Sequence, residues 1–247
     1  MNIESFGRGP PLVLVHGWGM HSGVWRKEAQ ELARQFQVHL VDLPGHGKSK
    51  EEFSAGFVAA LSARLPGRLN VVGWSLGATI ALNWALAFPA QARRLALISA
   101  TPCFGVRADW DCGWPPEKIE VFERELDRGA DAALERFISL QARGESRTNL
   151  RRLRRLVSSA KPPSIASLKT GLDILKTTDL RSALPGISQP AVVMHGDCDA
   201  VVPLAAAKFL ASSLPNARLS LFSGCGHAPS LSRPGKFIAD LVEFFDG

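Results

Sequence analysis

Six short runs along the chain are almost continuously apolar and break off at glycine-rich turns. They are PLVLVHG at 11–17, VHLVDLPG at 38–45, LNVVGWS at 69–75, RLALISA at 94–100, AVVMHGD at 191–197 and RLSLFSG at 218–224. They lack strict in–out alternation, which is how strands buried on both faces of a parallel sheet read. Segments of helical spacing lie between them. SLGATIALNWALAF follows the third run, PLAAAKFLASSL follows the fifth, and PGKFIADLVEFF, with a proline near its start, closes the chain. This strand–helix alternation predicts an α/β fold built on a mostly parallel, doubly wound sheet.

The alternation fails between about residue 110 and residue 180. PEKIEVFERELDRGADAALERFISLQ carries apolar residues at helical spacing (Ile119, Phe122, Leu126, then Leu134, Phe137, Leu140), and PPSIASLKTGLDILKTTDL follows a basic stretch. The region reads as helices only. The expected organisation is therefore a core of residues 1–110 and 180–247, with residues 111–179 inserted as a helical cap over the C-terminal edge of the sheet.

Composition narrows the class. Apolar residues make up 46% and charged residues 21% of the chain, so a packed core is expected and disorder is not. No apolar run approaches the roughly 20 residues that span a bilayer. The start, MNIESFGRGPPLVLVHG, lacks the pattern of a secretory signal, which predicts a cytoplasmic protein that does not engage membranes. Cysteines 103, 112, 198 and 225 form no CxxC pair, so zinc is not expected and four reduced thiols are.

The net charge is +6, and it has one source. Residues 143–169 hold eight positive side chains against the single acid Glu145, including the run ARGESRTNLRRLRRL at 142–156, which leaves the rest about neutral. In RTNLRRLRRLV the apolar positions 150, 153 and 157 form one helix face, with the arginines on other stripes. The residues alone leave three readings: a solvated helix face, a nucleic-acid patch without the aromatic interleaving such patches use, or a landing site for an acidic protein.

Chemistry is concentrated elsewhere. GWSLG at 73–77 ends a predicted strand and opens a predicted helix, the setting in which G-x-S-x-G forms a nucleophile elbow presenting Ser75. A serine nucleophile needs a base, and the base needs an orienting acid, in the chain order Ser, Asp, His for this fold class. GCGHAP supplies His227 after the last strand, and HGDCDAVVP supplies Asp197 and Asp199 after the one before. Asp199 lies further into its loop and is the expected partner of His227, while Asp197, at the strand end, is expected to tie down the turn. His16, His21, His39, His46 and His195 are expected to be structural or surface histidines. The oxyanion donors are expected to be the amides of Leu76 and of Trp18, in the HGWG turn at 16–19. Trp18 and Trp74 flank the catalytic elements directly; Trp25, Trp110 and Trp114 are expected in the core. A serine at position 75 excludes the aspartate nucleophile of dehalogenation or epoxide opening.

LVHGWG with VW six residues on, HLVDLPGHGKS, GWSLG, SATPCF followed by W, ERFISLQ, GLDILKTTDLR and the HAP after the last strand together resemble the pimeloyl-acyl-carrier-protein methyl ester carboxylesterases of biotin synthesis, a family of the α/β-hydrolase superfamily. The resemblance runs over nearly the whole chain. It implies a serine esterase with the triad Ser75, Asp199 and His227, with Trp18 and Leu76 as oxyanion donors; no metal or organic cofactor is implied, and a monomer is expected although the sequence does not fix the oligomeric state. It also implies that Phe137, Ile138, Ser139, Leu140 and Gln141 face the pimeloyl chain, and that arginines of the cap hold the acidic carrier protein. Arg136 matches one such arginine, and Arg147 and Arg151 match two more if a short deletion is placed after GE; Arg152, Arg154 and Arg155 stay unassigned. A further arginine of that family falls here on the apolar segment DAAL. Set beside a serine-hydrolase mouth, the basic segment is expected to dock an acyl carrier protein and not a nucleic acid. A broad short-chain carboxylesterase and a hydrolase-shaped binding protein are the alternatives that rates on carrier-bound and p-nitrophenyl esters, or reaction of Ser75 with a fluorophosphonate, separate.

Overall fold

The computed structural model describes residues 1–54, 56–143 and 145–246. Seven strands, β1 (Asn2–Phe6), β2 (Pro11–Val15), β3 (Gln37–Asp42), β4 (Leu69–Trp74), β5 (Ala92–Ile98), β6 (Ala191–Gly196) and β7 (Ala217–Phe222), form one sheet in the order β1-β3-β2-β4-β5-β6-β7. β1 runs antiparallel to β3, and every other neighbouring pair is parallel. All six runs read from the sequence are strands. Every residue of β4 and β6 is buried, as two-sided burial requires.

Two details depart from the sequence reading. β1 adds a strand that the hydrophobic pattern does not announce, because NIESF is an edge strand with only Ile3 and Phe6 apolar and mostly half-buried. β7 read as doubly buried, yet it is the opposite edge, and its Leu221 is 42% exposed.

Helices α1 (Arg26–Leu32), α2 (Phe57–Ser62) and α3 (Leu76–Ala87) connect the first strands. Four helices, α4 (Pro116–Arg128), α5 (Ala130–Gln141), α6 (Arg147–Val157) and α7 (Ile165–Thr177), stand between β5 and β6, and α8 (Leu204–Ser213), α9 (Pro229–Ser232) and α10 (Pro234–Asp246) complete the chain. The loop that leaves β5 and the segment that returns to β6 pair at a single bridge, Cys103 with Asp179, supported by the Leu180 amide donating to the Pro102 carbonyl at 2.9 Å. The four-helix insertion therefore begins and ends side by side. No helix among the described residues is long and apolar enough to cross a membrane.

The strand order reverses between β2 and β4, so the loops leaving their C-terminal ends open a crevice at the switch point of the sheet. The insertion packs against that end: the Trp18 indole, in the loop after β2, donates to the Leu168 carbonyl of α7 at 2.8 Å. Trp18 also meets Phe137 of α5 edge-on, with ring centroids 5.0 Å apart.

Candidate active site

The turn from β4 into α3 is sharp and strained. Ser75 sits at φ 55°, ψ −115°, a backbone region that side-chain-bearing residues rarely occupy and that persists only where the surroundings impose it. The two flanking glycines make the turn possible. A Cβ on Gly73 would stand 2.4 Å from the Gly77 carbonyl oxygen, and one on Gly77 would stand 2.4 Å from that of Val15. The peptide after Ser75 opens α3, so its amide belongs to the first turn, whose N–H groups have no intrahelical acceptor. Neither the Leu76 amide nor the Trp18 amide donates to another group among the described residues. Both are available to an incoming oxygen.

His227 lies in the loop after β7 and is fixed at four points. Its Nδ1–H donates to Asp199 Oδ2 at 2.8 Å. Its carbonyl accepts from the Trp74 indole at 2.8 Å and from the Ser99 hydroxyl at 2.9 Å. Its amide donates to the Gln141 carbonyl at 3.3 Å. Trp74 immediately precedes Ser75, and the Ser75 amide donates to Ile98, the residue before Ser99, so these bonds carry the imidazole to the elbow. Nε2 of His227 is buried and has no partner among the described residues. With Nδ1–H committed to Asp199, Nε2 is the ring nitrogen left to receive the serine proton.

The Asp199 side chain is fully buried. Its Oδ1 accepts from the amides of Val201 and Val202 at 2.7 and 2.9 Å, and Oδ2 serves His227. Burial by itself would raise this carboxyl, but the charge and hydrogen bond of His227, with His195 and the Val202 amide, outweigh it and hold the group below the usual carboxylate range. Asp197 lies apart: it accepts from the Gly224 amide at 2.7 Å and the Ser223 hydroxyl at 3.1 Å, closing the turn after β7. Asp199 is thus the acid against the histidine, and Asp197 reaches across to the turn after the neighbouring strand, not the turn of its own.

The other histidines have structural partners. Buried His16 donates from Nδ1 to the Gly17 carbonyl at 2.8 Å and accepts the Leu43 amide at Nε2 at 3.0 Å, tying the Trp18 loop to the end of β3. Burial, reinforced by His46 alongside, lowers His16 to about 3. Burial likewise lowers His46 and His195. All three bind a proton less readily in the fold than in an unfolded chain, so unfolding takes up protons as the pH falls through about 6.5 and stability is lost there. His16 adds a slope of about 1.4 kcal/mol per pH unit once the unfolded histidine is charged, and His46 and His195 add to it in the same direction. Urea midpoints should therefore drop clearly from about pH 7.5 to about pH 5.5; a flat profile would contradict this assignment. His39 is half-paired at the edge through Ser5 Oγ at 2.7 Å, and His21 accepts the Gly23 amide at 3.1 Å while donating to the Leu156 carbonyl of α6 at 2.7 Å.

Aromatic rings pack in a chain from the insertion to the catalytic histidine. Phe137 lies 6.2 Å from the His227 ring and 6.2 Å from Phe122, which in turn lies 5.4 Å from Trp114. The expectation that all of 137–141 faces one way is corrected. A continuous helix cannot place five consecutive side chains on one face: Phe137, Ile138 and Gln141 are buried, Leu140 is half-buried and Ser139 is exposed. Trp25, Trp110 and Trp114 are core residues as expected, and Trp114 Nε1 donates to the Val201 carbonyl at 2.7 Å, beside Asp199.

The arginines separate into classes that the sequence pattern did not resolve. Arg147, Arg151 and Arg155 form one exposed stripe along α6 and have no acidic partner among the described residues. Arg154 is paired with Glu135. Arg152 is half-buried and turns inward, 3.3 Å from the Leu231 carbonyl and 3.9 Å from the buried Glu28. Arg136 is held by Glu125 of α4 through Nε at 2.7 Å and Nη2 at 2.6 Å, so it is not a free cation.

Sequence reasoning missed Ser99, which has φ 47° and anchors the His227 carbonyl. Nothing in LISATP marks it. It also missed the grip of Gln141 and Glu145 on the histidine loop.

Comparison with known proteins shows the family of the chain. The family model of the alpha/beta hydrolase fold matches residues 10–234. A protein of Nitrosomonas europaea named pimeloyl-[acyl-carrier protein] methyl ester esterase is 42% identical over 97% of this chain and 97% of its own. One of the same name from Chromobacterium violaceum is 40% identical over 99% of this chain and 97% of its own. Among solved structures, an esterase from Exiguobacterium antarcticum superposes with a TM-score of 0.90 at 24% identity, covering 99% of this chain and 95% of that one, a likeness of fold.

Proposed function

The chain belongs to the α/β-hydrolase family and, within it, to the pimeloyl-[acyl-carrier protein] methyl ester esterases, and from that membership we propose that it is a cytoplasmic serine esterase that hydrolyses the methyl ester of pimeloyl-acyl carrier protein in biotin synthesis. The observation that carries the mechanism is the buried Asp199–His227 pair at 2.8 Å, with Nε2 of His227 free and its backbone anchored beside the elbow of Ser75.

Ser75 Oγ attacks the ester carbonyl carbon while His227 Nε2 takes the hydroxyl proton. Asp199 keeps Nδ1 protonated and stabilises the imidazolium that forms. The carbonyl oxygen, now negative, is received by the amides of Trp18 and Leu76, the second at the positive end of α3. As the tetrahedral intermediate collapses, His227 returns its proton to the departing methoxide, and methanol leaves. A water molecule then attacks the acyl-enzyme, giving its proton to His227. Collapse of the second intermediate restores the Ser75 hydroxyl and releases the free pimeloyl carboxylate, still carried on its protein. No step calls on a metal or organic cofactor.

Residues 111–179 serve as the cap. Phe137, Phe122, Trp18 and Trp114 give an apolar chain its surroundings, and Ile138 and Gln141 close the same side. The exposed stripe of Arg147 and Arg151 faces outward from α6 and fits the acidic surface of an acyl carrier protein. Arg136, already paired with Glu125, contributes less.

Two experiments test this. Purified protein should be labelled at Ser75 by a fluorophosphonate probe and should rescue a biotin auxotroph lacking the esterase; a protein that does neither is not this enzyme. Reversing both charges, Arg147→Glu with Arg151→Glu, should raise KM for methyl pimeloyl-carrier protein by about tenfold or more at low salt, with a smaller effect as salt screens the attraction. Turnover of p-nitrophenyl acetate should be unchanged. Equal losses on both substrates would remove the docking assignment.

A further inference from the structure

The basic segment contains one acid, and the docking role leaves it unused. Glu145 is the only negative side chain among residues 143–169. It lies between α5 and α6, immediately before Ser146, whose hydroxyl caps α6 by accepting the Asn149 amide. Its carboxylate does not pair with the neighbouring arginines among the described residues. It reaches out of the insertion instead: Oε1 accepts the Gly226 amide at 2.6 Å and the Ser232 hydroxyl at 2.5 Å, and Oε2 accepts the Asn149 side-chain amide at 2.8 Å.

Gly226 directly precedes His227. The next amide, that of His227 itself, donates to the Gln141 carbonyl at 3.3 Å. Two consecutive peptide N–H groups of the histidine loop therefore end on residues 141 and 145 of the insertion. The fit is close: a Cβ on Gly226 would lie 2.9 Å from the Gln141 carbonyl oxygen and 3.1 Å from that of Arg143. Backbone meets backbone here, and Glu145 closes the contact with hydrogen bonds to an ionised acceptor, which are stronger than neutral ones.

Two more links join α6 to the same region. Arg152 donates to the Leu231 carbonyl of α9, and the Leu156 carbonyl accepts His21 from the loop that carries Trp18. The helix whose outer stripe is Arg147 and Arg151 thus has an inner side fastened to both catalytic loops.

We propose that Glu145 is a positioning residue for His227: from the N-terminus of α6 it holds the Gly226 peptide and so sets the placement of the general base, which ties that placement to the helix on which the carrier protein docks. The proposal rests on the esterase reading above.

The test uses p-nitrophenyl acetate, which does not need the carrier, so the proposal and the carrier assignment fail separately. In Glu145→Ala, with active sites counted by fluorophosphonate titration, kcat per active site should fall by about tenfold or more with KM changed less than about twofold. The pH–kcat profile should shift, because a displaced imidazole no longer shares the same bond to Asp199. Glu145→Gln keeps an acceptor for the Gly226 amide and should recover activity to within about threefold of the parent. Wild-type kcat and pH profile in the folded alanine variant would overturn the proposal. So would a loss confined to the fraction of active protein, with kcat per active site and pH profile unchanged, since that is the signature of a purely structural contact. If the alanine variant does not fold, Glu145→Asp, shorter by one methylene, takes its place under the same two criteria. A parent enzyme that turns over the small ester but not methyl pimeloyl-carrier protein would defeat the carrier assignment and leave this test intact.

Discussion

Ser75→Ala is expected to lower kcat by about 10⁴- to 10⁶-fold while thermal unfolding stays close to that of the parent. The size of the loss follows from the elbow. No neighbouring hydroxyl can take over, because the nucleophile's position is set by a backbone at φ 55° that only Ser75 occupies at this turn. The oxyanion amides of Trp18 and Leu76 remain in the variant, so a residue of catalysis over the uncatalysed reaction should persist. Steady-state kinetics on p-nitrophenyl acetate and a melting curve measured side by side check this. A drop of less than about tenfold would show that Ser75 is not the nucleophile.

Asp199→Asn should cost about 10⁴-fold in kcat, close to the serine loss, whereas Asp197→Asn should stay within about twofold of the parent. The surroundings enforce the difference. Oδ1 of Asp199 accepts two peptide amides, from Val201 and Val202. An asparagine there must turn its carbonyl oxygen to those amides and its NH₂ to His227. The NH₂ can only donate, so Nδ1 of His227 becomes an acceptor and the proton moves to Nε2, where it blocks the transfer from Ser75. Asp197, at the outer turn, reaches only Gly224 and Ser223. Equal losses from the two substitutions would mean that the acid has been misassigned.

Much of this was legible in the order of residues. Strands buried on both faces show as continuous apolar runs, and β2 to β6 follow that pattern; the two edge strands do not, β1 lacking such a run and β7 carrying one while partly exposed. That Asp199 stands nearer His227 could be read from how far it lies from its strand; that Asp197 reaches across to the turn after β7 could not. What could not be read is what side chains at distant positions do to one another's backbones. Ser99 holds the His227 carbonyl across 128 positions, and Glu145 holds the Gly226 amide across 81. No local pattern marks either contact. The arginines show the same limit from the other direction: five charges on one short helix look alike in sequence, but the fold turns Arg152 inward, commits Arg154 to Glu135 and leaves Arg147, Arg151 and Arg155 to solvent. Five consecutive residues carried over as a substrate-facing run met the same constraint, since the turn of α5 sends Ser139 outward.

The most direct test of the central claim is the mass of the carrier protein after incubation of methyl pimeloyl-carrier protein with the purified enzyme and, separately, with Ser75→Ala. Hydrolysis at the methyl ester should leave an acylated carrier lighter by one methylene, with methanol released in equal amount, in the active enzyme only. An unchanged carrier under conditions where p-nitrophenyl acetate is consumed, or a carrier stripped of its whole acyl chain, would contradict it.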